Sequence, residues 1–134
     1  MSHDHNRPNG FSVREGSLFC EAVSTDSLAR RFATPLYVYS QSAITDAFAE
    51  WTDAFGGADH LICFAVKANS NIAVLKLLAG LGSGFDIVSG GELHRVLAAG
   101  GSAGKVVFSG VGKSAAEIEL ALTAGIRCFN VEFA

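Results

Sequence analysis

The chain has 134 residues, of which 49% are hydrophobic and 17% charged, and its formal net charge is −3 at pH 7. This length allows one domain with a sizeable core, and the composition excludes intrinsic disorder. No apolar run in the sequence approaches the roughly 18 residues that span a bilayer, and no basic cluster is present. We therefore expect neither a membrane nor a nucleic acid as partner.

The cysteines and histidines indicate a compartment and argue against a metal centre. The three cysteines lie far apart and form no C-x-x-C pair: Cys20, Cys63 and Cys128. Free thiols are typical of a reducing cytosol, so we expect a cytoplasmic protein. His3 and His5 lie in a polar terminus and the other two histidines are isolated, so no metal site is predicted.

The first part of the chain predicts short elements and one longer helix. Short strands are predicted at residues 18–21 and 36–39, on either side of a helix over Thr25–Phe32. An amphipathic helix is predicted over residues 42–55. Its apolar residues recur at helical spacing and are predicted to pack in a core: Ile44, Phe48, Trp51 and Phe55.

From Leu61 onward, apolar strand-like runs alternate with segments of helical periodicity. The runs begin at similar intervals, at residues 61–66, 85–88, 106–108 and 128–131. Apolar residues at helical spacing lie between them: Ile72, Leu75, Leu78 and Leu81; Leu93, Val96 and Leu97; Ile118, Ala121 and Leu122. This alternation predicts βαβ units with parallel strands and right-handed crossovers.

The ends of these helices carry their own signals. Ser89 with Glu92, and Ser114 with Glu117, fit the S-x-x-E capping box, in which each side chain accepts a hydrogen bond from the backbone of the other residue. Glycines stand where the helices are expected to stop, because glycine adopts the left-handed conformation at little cost: Gly82, Gly100 with Gly101, and Gly125.

Two folds accommodate this pattern. One is a complete doubly wound sheet of flavodoxin type, and the other is the first half of a (β/α)8 barrel, which needs about 250 residues in full. Periodicity alone does not separate them. The sequence ends with residues 129–134 at the edge of a predicted strand, with no helix to cover it. We therefore interpret the chain as a truncated α/β protein.

Three glycine-containing stretches resemble phosphate-binding loops to different degrees. Residues 80–84 follow a helix and precede a strand, the reverse of a phosphate cradle, and are predicted to form a plain loop. Residues 112–114 resemble the end of a Walker A motif, but Val107 stands where the first glycine is needed, so Lys113 is predicted to be solvated. Residues 90–91 open a helix after a strand, and either an anion site or a tight turn fits them.

The most unusual charged residue is Lys67, which follows an unbroken apolar run. Such a run predicts a strand buried on both faces, and active sites of α/β proteins lie at the carboxyl ends of strands. Asp86 interrupts the next strand, and pairing with Lys67 would offset the cost of burying its carboxylate. A lysine amine can form a Schiff base with an aldehyde, commonly that of pyridoxal phosphate. Other polar residues are predicted at the same edge: Ser89, Ser109, Asn130 and Glu132.

Several segments resemble the fold-type III family of pyridoxal-phosphate-dependent amino-acid decarboxylases. They are residues 34–39, 64–71, 85–93, 107–113 and 129–132, and the similarity runs from about Phe11 to Glu132. The forms Val-Ser-Gly-Gly-Glu-Leu and Phe-Ser-Gly-Val-Gly-Lys are similar to the diaminopimelate branch of that family rather than to its ornithine or arginine branch.

The resemblance implies the N-terminal half of a pyridoxal-phosphate-binding (β/α)8 TIM barrel of the alanine racemase type, in a homodimeric enzyme whose β-rich second domain is largely missing here. Residues 1–40 would lead into the barrel, and residues 41–134 would form its first part. The implied reaction converts meso-2,6-diaminopimelate to L-lysine and carbon dioxide, the last step of lysine biosynthesis. Lys67 would hold the cofactor as a Schiff base, and Asp86 matches the family's acidic position beside it.

Other parts of the family pattern fall beyond residue 134: the acid that pairs with the pyridine nitrogen, the phosphate loops and the substrate-binding residues. We therefore expect this polypeptide alone to be inactive and poorly stable, because half a barrel leaves sheet edges unpaired. Three other interpretations stay open. They are a decarboxylase of ornithine or arginine type, a non-catalytic pyridoxal-phosphate-binding barrel, and a self-contained flavodoxin-like binding module.

Overall fold

The computed structural model describes residues 10–131. The chain divides into two compact units, Met1–Trp51 and Thr52–Ala134, and each is described by itself. None of the helices within residues 10–131 is long and apolar enough to cross a membrane.

The first unit begins with a three-stranded antiparallel sheet. Its strands are β1 (Phe11–Arg14), β2 (Ser17–Cys20) and β3 (Val23–Ser24). Glu15 and Gly16 connect β1 to β2 with φ angles of 49° and 78°, the positive values that a tight two-residue hairpin needs. Helix α1 follows at Thr25–Phe32, so the predicted helix is confirmed. The strand predicted at residues 18–21 is confirmed as β2.

Residues 36–39 do not form a strand, so that prediction is wrong. They follow α1 without joining either sheet, and Tyr37 and Tyr39 are 86% and 54% exposed. An apolar run becomes a strand only where a neighbouring strand exchanges backbone hydrogen bonds with it. The run itself does not show whether such a neighbour is present.

Helix α2 spans Gln41–Phe55, close to the predicted bounds. Its first turn is capped by side chains, since Ser40 Oγ accepts a hydrogen bond from the Ala43 amide at 3.0 Å and Glu21 accepts one from the Ser42 amide at 2.9 Å. These amides have no acceptor within the helix itself. The hydrogen bond from the Ser42 amide also lowers the pKa of Glu21.

The prediction that the apolar side of α2 packs in a core is wrong for its C-terminal half. Trp51 is 63% exposed and Phe55 is 47% exposed, although the Phe55 ring stacks on His60 with the ring centres 4.7 Å apart. Helical spacing shows that side chains share a face. Whether that face is buried depends on which other segments cover it.

The second unit contains a parallel sheet whose four strands follow one another in chain order. Its strands are β4 (Cys63–Ala65), β5 (Gly84–Ile87), β6 (Val106–Phe108) and β7 (Cys128–Phe129). The connecting helices are α3 (Ile72–Gly80), α4 (Gly90–Ala98) and α5 (Ala115–Ala124). The predicted βαβ units are confirmed, while β4 and β7 are shorter than their apolar runs.

The core of the second unit lies on one face of this sheet. Its fully buried side chains alternate along β5 and β6 and continue into α3 and α4: Phe85, Ile87, Val106, Phe108, Leu75, Leu93 and Val96. The intervening Asp86 and Val107 are only partly buried, and so are all three residues of β4. The prediction of a first strand buried on both faces is therefore wrong, because right-handed crossovers place the helices on one face only.

The predicted capping boxes are formed completely at α5 and in part at α4. Ser114 Oγ accepts a hydrogen bond from the Glu117 amide at 3.3 Å, and Glu117 Oε2 accepts one from the Ser114 amide at 3.0 Å. At α4, Ser89 Oγ accepts from the Glu92 amide at 3.2 Å, but Glu92 accepts from the Val88 amide instead of that of Ser89. At α4, Ser89 therefore gives the Glu92 amide an acceptor, but the reciprocal bond from the Ser89 amide to Glu92 is not formed.

The predicted helix stops are confirmed. Gly82, Gly100 and Gly125 have φ angles of 90°, 85° and 73°, a region that side chains disfavour. Gly101 is required for a different reason, because a Cβ there would lie 2.6 Å from Val96 Cγ1 and meet the core.

Replacing Ser114 with alanine is expected to weaken the first turn of α5 by about 1 kcal/mol, because the Glu117 amide loses its acceptor. We expect roughly fivefold faster hydrogen exchange of the amides at the start of α5, measured by mass spectrometry. Ser102→Ala is the matched control, since Ser102 is exposed and its side chain caps no helix. Equal exchange in the two variants would contradict the role assigned to the Ser114 cap.

Candidate active site

The carboxyl ends of β4 to β7 form one edge of the parallel sheet, where catalytic groups of such folds collect. At the end of β4 the chain enters a 3₁₀ turn, Val66–Ala68. Val66 is fully buried in this turn, whereas Lys67 is exposed. The turn therefore fixes the lysine backbone and leaves the amine accessible.

Two asparagines fix the segment that follows Lys67. The Asn69 side chain accepts a hydrogen bond from the Asn71 amide at 3.0 Å, and the Asn71 side chain accepts one from the Ala73 amide at 2.8 Å as the cap of α3. Asparagine suits both positions because its short side chain reaches the backbone two residues on. Lys67 thus lies between a buried valine and a capped helix start.

Lys67 and Asp86 do not form the ion pair that the sequence suggested. Within residues 10–131, no hydrogen bond or ion pair reaches the Lys67 side chain, and Asp86 Oδ1 accepts a hydrogen bond from Ser109 Oγ at 2.5 Å. The strand register explains this, since Asp86 pairs with Ala65 and Lys67 lies beyond the end of that strand. A hydroxyl group therefore compensates the partly buried carboxylate.

Ser109 also accepts a hydrogen bond. Asn130 Nδ2 donates to Ser109 Oγ at 2.9 Å, so the side chains of Asn130, Ser109 and Asp86 form a connected chain. The prediction that these residues share one edge of the sheet is confirmed. Of the other residues predicted there, Ser89 caps α4 and Glu132 lies outside the described residues.

Lys113 belongs to the same edge, and the prediction that it is solvated is wrong. Lys113 is partly buried, and its ammonium donates to the carbonyl oxygens of Gly110 and Asn130, the latter at 2.8 Å, and lies 5.7 Å from the centre of the Phe108 ring. These contacts connect the loop after β6 to the segment after β7. The sequence carries no signal for this role, because a long flexible side chain can reach carbonyl groups that are distant along the chain.

The amide of Gly90 decides between the two interpretations of residues 90–91. It donates a hydrogen bond to Glu117 Oε1 at 2.9 Å, so a carboxylate of the chain itself lies where an external anion would bind. This bond lowers the pKa of Glu117, and the bonds from the Ser114 amide and hydroxyl lower it further by smaller amounts. We therefore assign the Gly90 position to a tight turn between β5 and α4.

The groups at this edge fit a cofactor that carries an aldehyde. Lys67 offers an exposed amine without a partner in the described part of the chain, and such an amine can condense with an aldehyde. Burial raises the pKa of the Cys63 thiol, at the start of β4, which disfavours the thiolate that a nucleophilic cysteine needs. Residues 10–131 contain no group of three or more His, Cys, Asp or Glu placed to hold a metal ion.

An accessible lysine at the end of a parallel strand, with a carboxylate on the next strand, defines an α/β domain that can bind a cofactor covalently. Residues 41–134 match the family described as "Pyridoxal-dependent decarboxylase, pyridoxal binding domain", and the chain belongs to this family. The family's cofactor is pyridoxal phosphate. The resemblance drawn from the motifs is therefore confirmed.

Known relatives narrow the comparison to one branch of the family. The chain is 64% identical over 116 residues to the diaminopimelate decarboxylase of Neisseria meningitidis serogroup B, covering 87% of this chain and 28% of that protein. It is 57% identical over 124 residues to the diaminopimelate decarboxylase of Pseudomonas fluorescens, covering 92% of this chain and 30% of that protein.

A solved structure shows the same architecture. The chain superposes on diaminopimelate decarboxylase from M. jannaschii in co-complex with L-lysine with a TM-score of 0.87 and 36% identity, covering 92% of this chain and 30% of that one. Of the two folds that the sequence left open, the first part of a (β/α)8 barrel is confirmed, and the flavodoxin-type sheet is not. The chain spans under a third of the length of these relatives.

Proposed function

We propose that this chain is the N-terminal part of a lyase that converts meso-2,6-diaminopimelate to L-lysine and carbon dioxide with pyridoxal phosphate. The observation that carries the proposal is the exposed Lys67 amine at the end of β4, within the segment that resembles the family's cofactor-attachment motif. The relatives support it, because they are named diaminopimelate decarboxylase and one of their structures contains L-lysine, the product of the proposed reaction.

The described residues have distinct parts in this proposal. Lys67 binds the cofactor through its amine, and the capped segment after it limits where that bond can form. Asp86 places a carboxylate on the neighbouring strand, which stabilises positive charge nearby. When bound, pyridoxal phosphate acts as an electron sink for the charge left on the substrate as carbon dioxide departs.

The proposal also covers the organisation of the protein. Residues 1–40 lead into a (β/α)8 TIM barrel, residues 41–134 form its first part, and a β-rich second domain completes each subunit of a homodimer. The partly exposed face of the β4–β7 sheet supports the barrel, because that face lines the interior when a barrel closes. A cytoplasmic location is supported by Cys20, Cys63 and Cys128, which are free thiols, as is usual in reducing compartments.

A chimera tests the proposed function directly. In it, this chain replaces the segment that it matches in the Neisseria meningitidis relative, whose unaltered form is the control. We expect the chimera to release carbon dioxide from meso-2,6-diaminopimelate and to form L-lysine. The 134-residue chain alone is expected to do neither. Within residues 10–131, β4 and β7 are the outermost strands of the parallel sheet, and the outer side of each has no strand paired with it.

The outcome that contradicts the proposal is specific. A chimera that folds and binds pyridoxal phosphate but releases no carbon dioxide, while the control enzyme is active, would show that this chain does not supply a competent site. Decarboxylation by the isolated chain would instead contradict the expectation that it is only part of the enzyme.

A further inference from the structure

Only one oxygen of the Asp86 carboxylate is engaged by the described residues. Oδ1 accepts the hydrogen bond from Ser109 Oγ at 2.5 Å, and no other hydrogen bond or ion pair within residues 10–131 reaches this side chain. Asp86 is half-buried on the face of the sheet that the helices leave uncovered. Oδ2 therefore has no donor among the described residues and is available to accept a hydrogen bond from a ligand at this edge.

The direction of the hydrogen bonds follows from the single proton of the Ser109 hydroxyl. Asn130 Nδ2 can only donate, so its contact at 2.9 Å makes Ser109 Oγ an acceptor and leaves the serine proton for Asp86. Lys113 donates to the backbone carbonyl of Asn130 at 2.8 Å. That bond restricts the movement of Asn130, the first donor in the row of hydrogen bonds from Asn130 through Ser109 to Asp86.

These side-chain contacts are separate from the backbone pairing of the strands. The Ser109 amide donates to the Ile87 carbonyl at 2.8 Å, and the Asn130 amide donates to the Phe108 carbonyl at 2.9 Å. Alanine at position 109 keeps its backbone bond and removes the hydroxyl, which is both the donor to Asp86 and the acceptor for Asn130 Nδ2. The side chain can therefore be tested without breaking the sheet.

We propose that Ser109, oriented by Asn130, is a positioning residue that holds the Asp86 carboxylate in one orientation and keeps Oδ2 as the acceptor offered to the ligand. The inference rests on the proposed function for the identity of that ligand, pyridoxal phosphate attached to Lys67. Hydrogen bonds to a charged acceptor are stronger than those between neutral groups. A carboxylate that loses its donor rotates more freely and presents a less defined acceptor to the ligand.

The test uses the chimera that tests the proposed function, because it supplies the parts of the family pattern expected beyond residue 134. The apparent dissociation constant of pyridoxal phosphate is measured from the absorbance of the lysine adduct at about 420 nm. Ser109→Ala is expected to raise the constant about tenfold. Ser109→Thr keeps the hydroxyl and is expected to change the constant less than about twofold. The matched control is Ser102→Ala, because that serine is exposed and caps no helix.

A double-mutant cycle separates positioning from a general structural role. In the Asp86→Ala background, Ser109→Ala is expected to add less than about twofold, because the residue through which Ser109 acts is absent. Asn130→Ala is expected to raise the constant about threefold in the unaltered background and to lose this effect in the Asp86→Ala background. Circular dichroism checks that each variant is folded.

The outcomes are distinguishable. An unchanged constant in Ser109→Ala, or a tenfold effect that persists in the Asp86→Ala background, would overturn the inference and leave the proposed function intact. If the chimera with the unaltered chain forms no adduct while the control enzyme does, the proposed function fails and the inference fails with it. An adduct without release of carbon dioxide contradicts the proposed function alone, and the constants still test the inference. If Ser109→Ala does not fold, Asn130→Ala in the two backgrounds decides the question in the same way.

Discussion

Lys67→Ala is expected to abolish both the absorbance at about 420 nm and the adduct that borohydride traps when the chain is treated with pyridoxal phosphate. Lys67 is the exposed amine at the carboxyl edge of the sheet, and the other lysine at this edge, Lys113, is engaged by two backbone carbonyl oxygens. The measurement is an absorbance titration, followed by borohydride reduction and peptide mass spectrometry to locate the modified residue.

Lys76→Ala is the matched control for this experiment. Lys76 is exposed on α3 and its side chain, like that of Lys67, has no hydrogen bond or ion pair within residues 10–131, so it shows how any accessible lysine reacts. The other lysines are engaged, since Lys105 donates to the Gly82 carbonyl at 2.9 Å and Lys113 binds two carbonyl oxygens. An adduct that survives in Lys67→Ala, or one that forms equally on Lys76, would show that the attachment site is assigned wrongly.

Gly84→Ala is expected to destabilise the second unit by about 1–3 kcal/mol. Gly84 is buried at the start of β5, and a Cβ there would lie 2.7 Å from the Lys105 carbonyl oxygen and 2.7 Å from Cys63 Sγ. The carbonyl belongs to the backbone that leads into β6, so it cannot give way without disturbing the strand pairing. Urea unfolding followed by circular dichroism measures the change in the free energy of unfolding.

Gly80→Ala is the control for Gly84→Ala and is expected to change the free energy of unfolding in the opposite direction. Gly80 is the last residue of α3, it is exposed, and no atom lies within 4 Å of an added Cβ. Alanine is favoured over glycine in a helix by about 0.5–1 kcal/mol, so the variant is expected to be slightly more stable. Destabilisation of similar size in both variants would argue against close packing as the reason for the glycine at position 84.

Most helices and strands could be predicted from the sequence because their signals are local. Thr25–Phe32 was predicted with the bounds that α1 has, and the Ser114 cap and the glycine at position 125 delimit α5 within a few residues. Periodicity, caps and stops each depend on residues that lie within one or two turns of each other. A contiguous stretch of sequence therefore contains the information that is needed.

The contacts of the site residues could not be predicted in this way. Asp86 accepts its hydrogen bond from Ser109, which is 23 residues along the chain, and not from Lys67. Lys113 was expected in solvent, yet it binds the carbonyl of Asn130 on the far side of α5. Both contacts depend on the strand register and on the reach of individual side chains, and an apolar pattern carries neither.

Short contiguous segments were thus sufficient to establish the order of strands and helices, the place of Lys67 at the end of β4, and the resemblance to the family. Three-dimensional packing alone established that residues 36–39 remain unpaired, that one face of the parallel sheet is uncovered, and that Ser109 is the donor to Asp86. The reason is physical: burial and hydrogen bonding are short-range interactions, acting over about 3–4 Å. Their outcome depends on which distant segments the fold brings together.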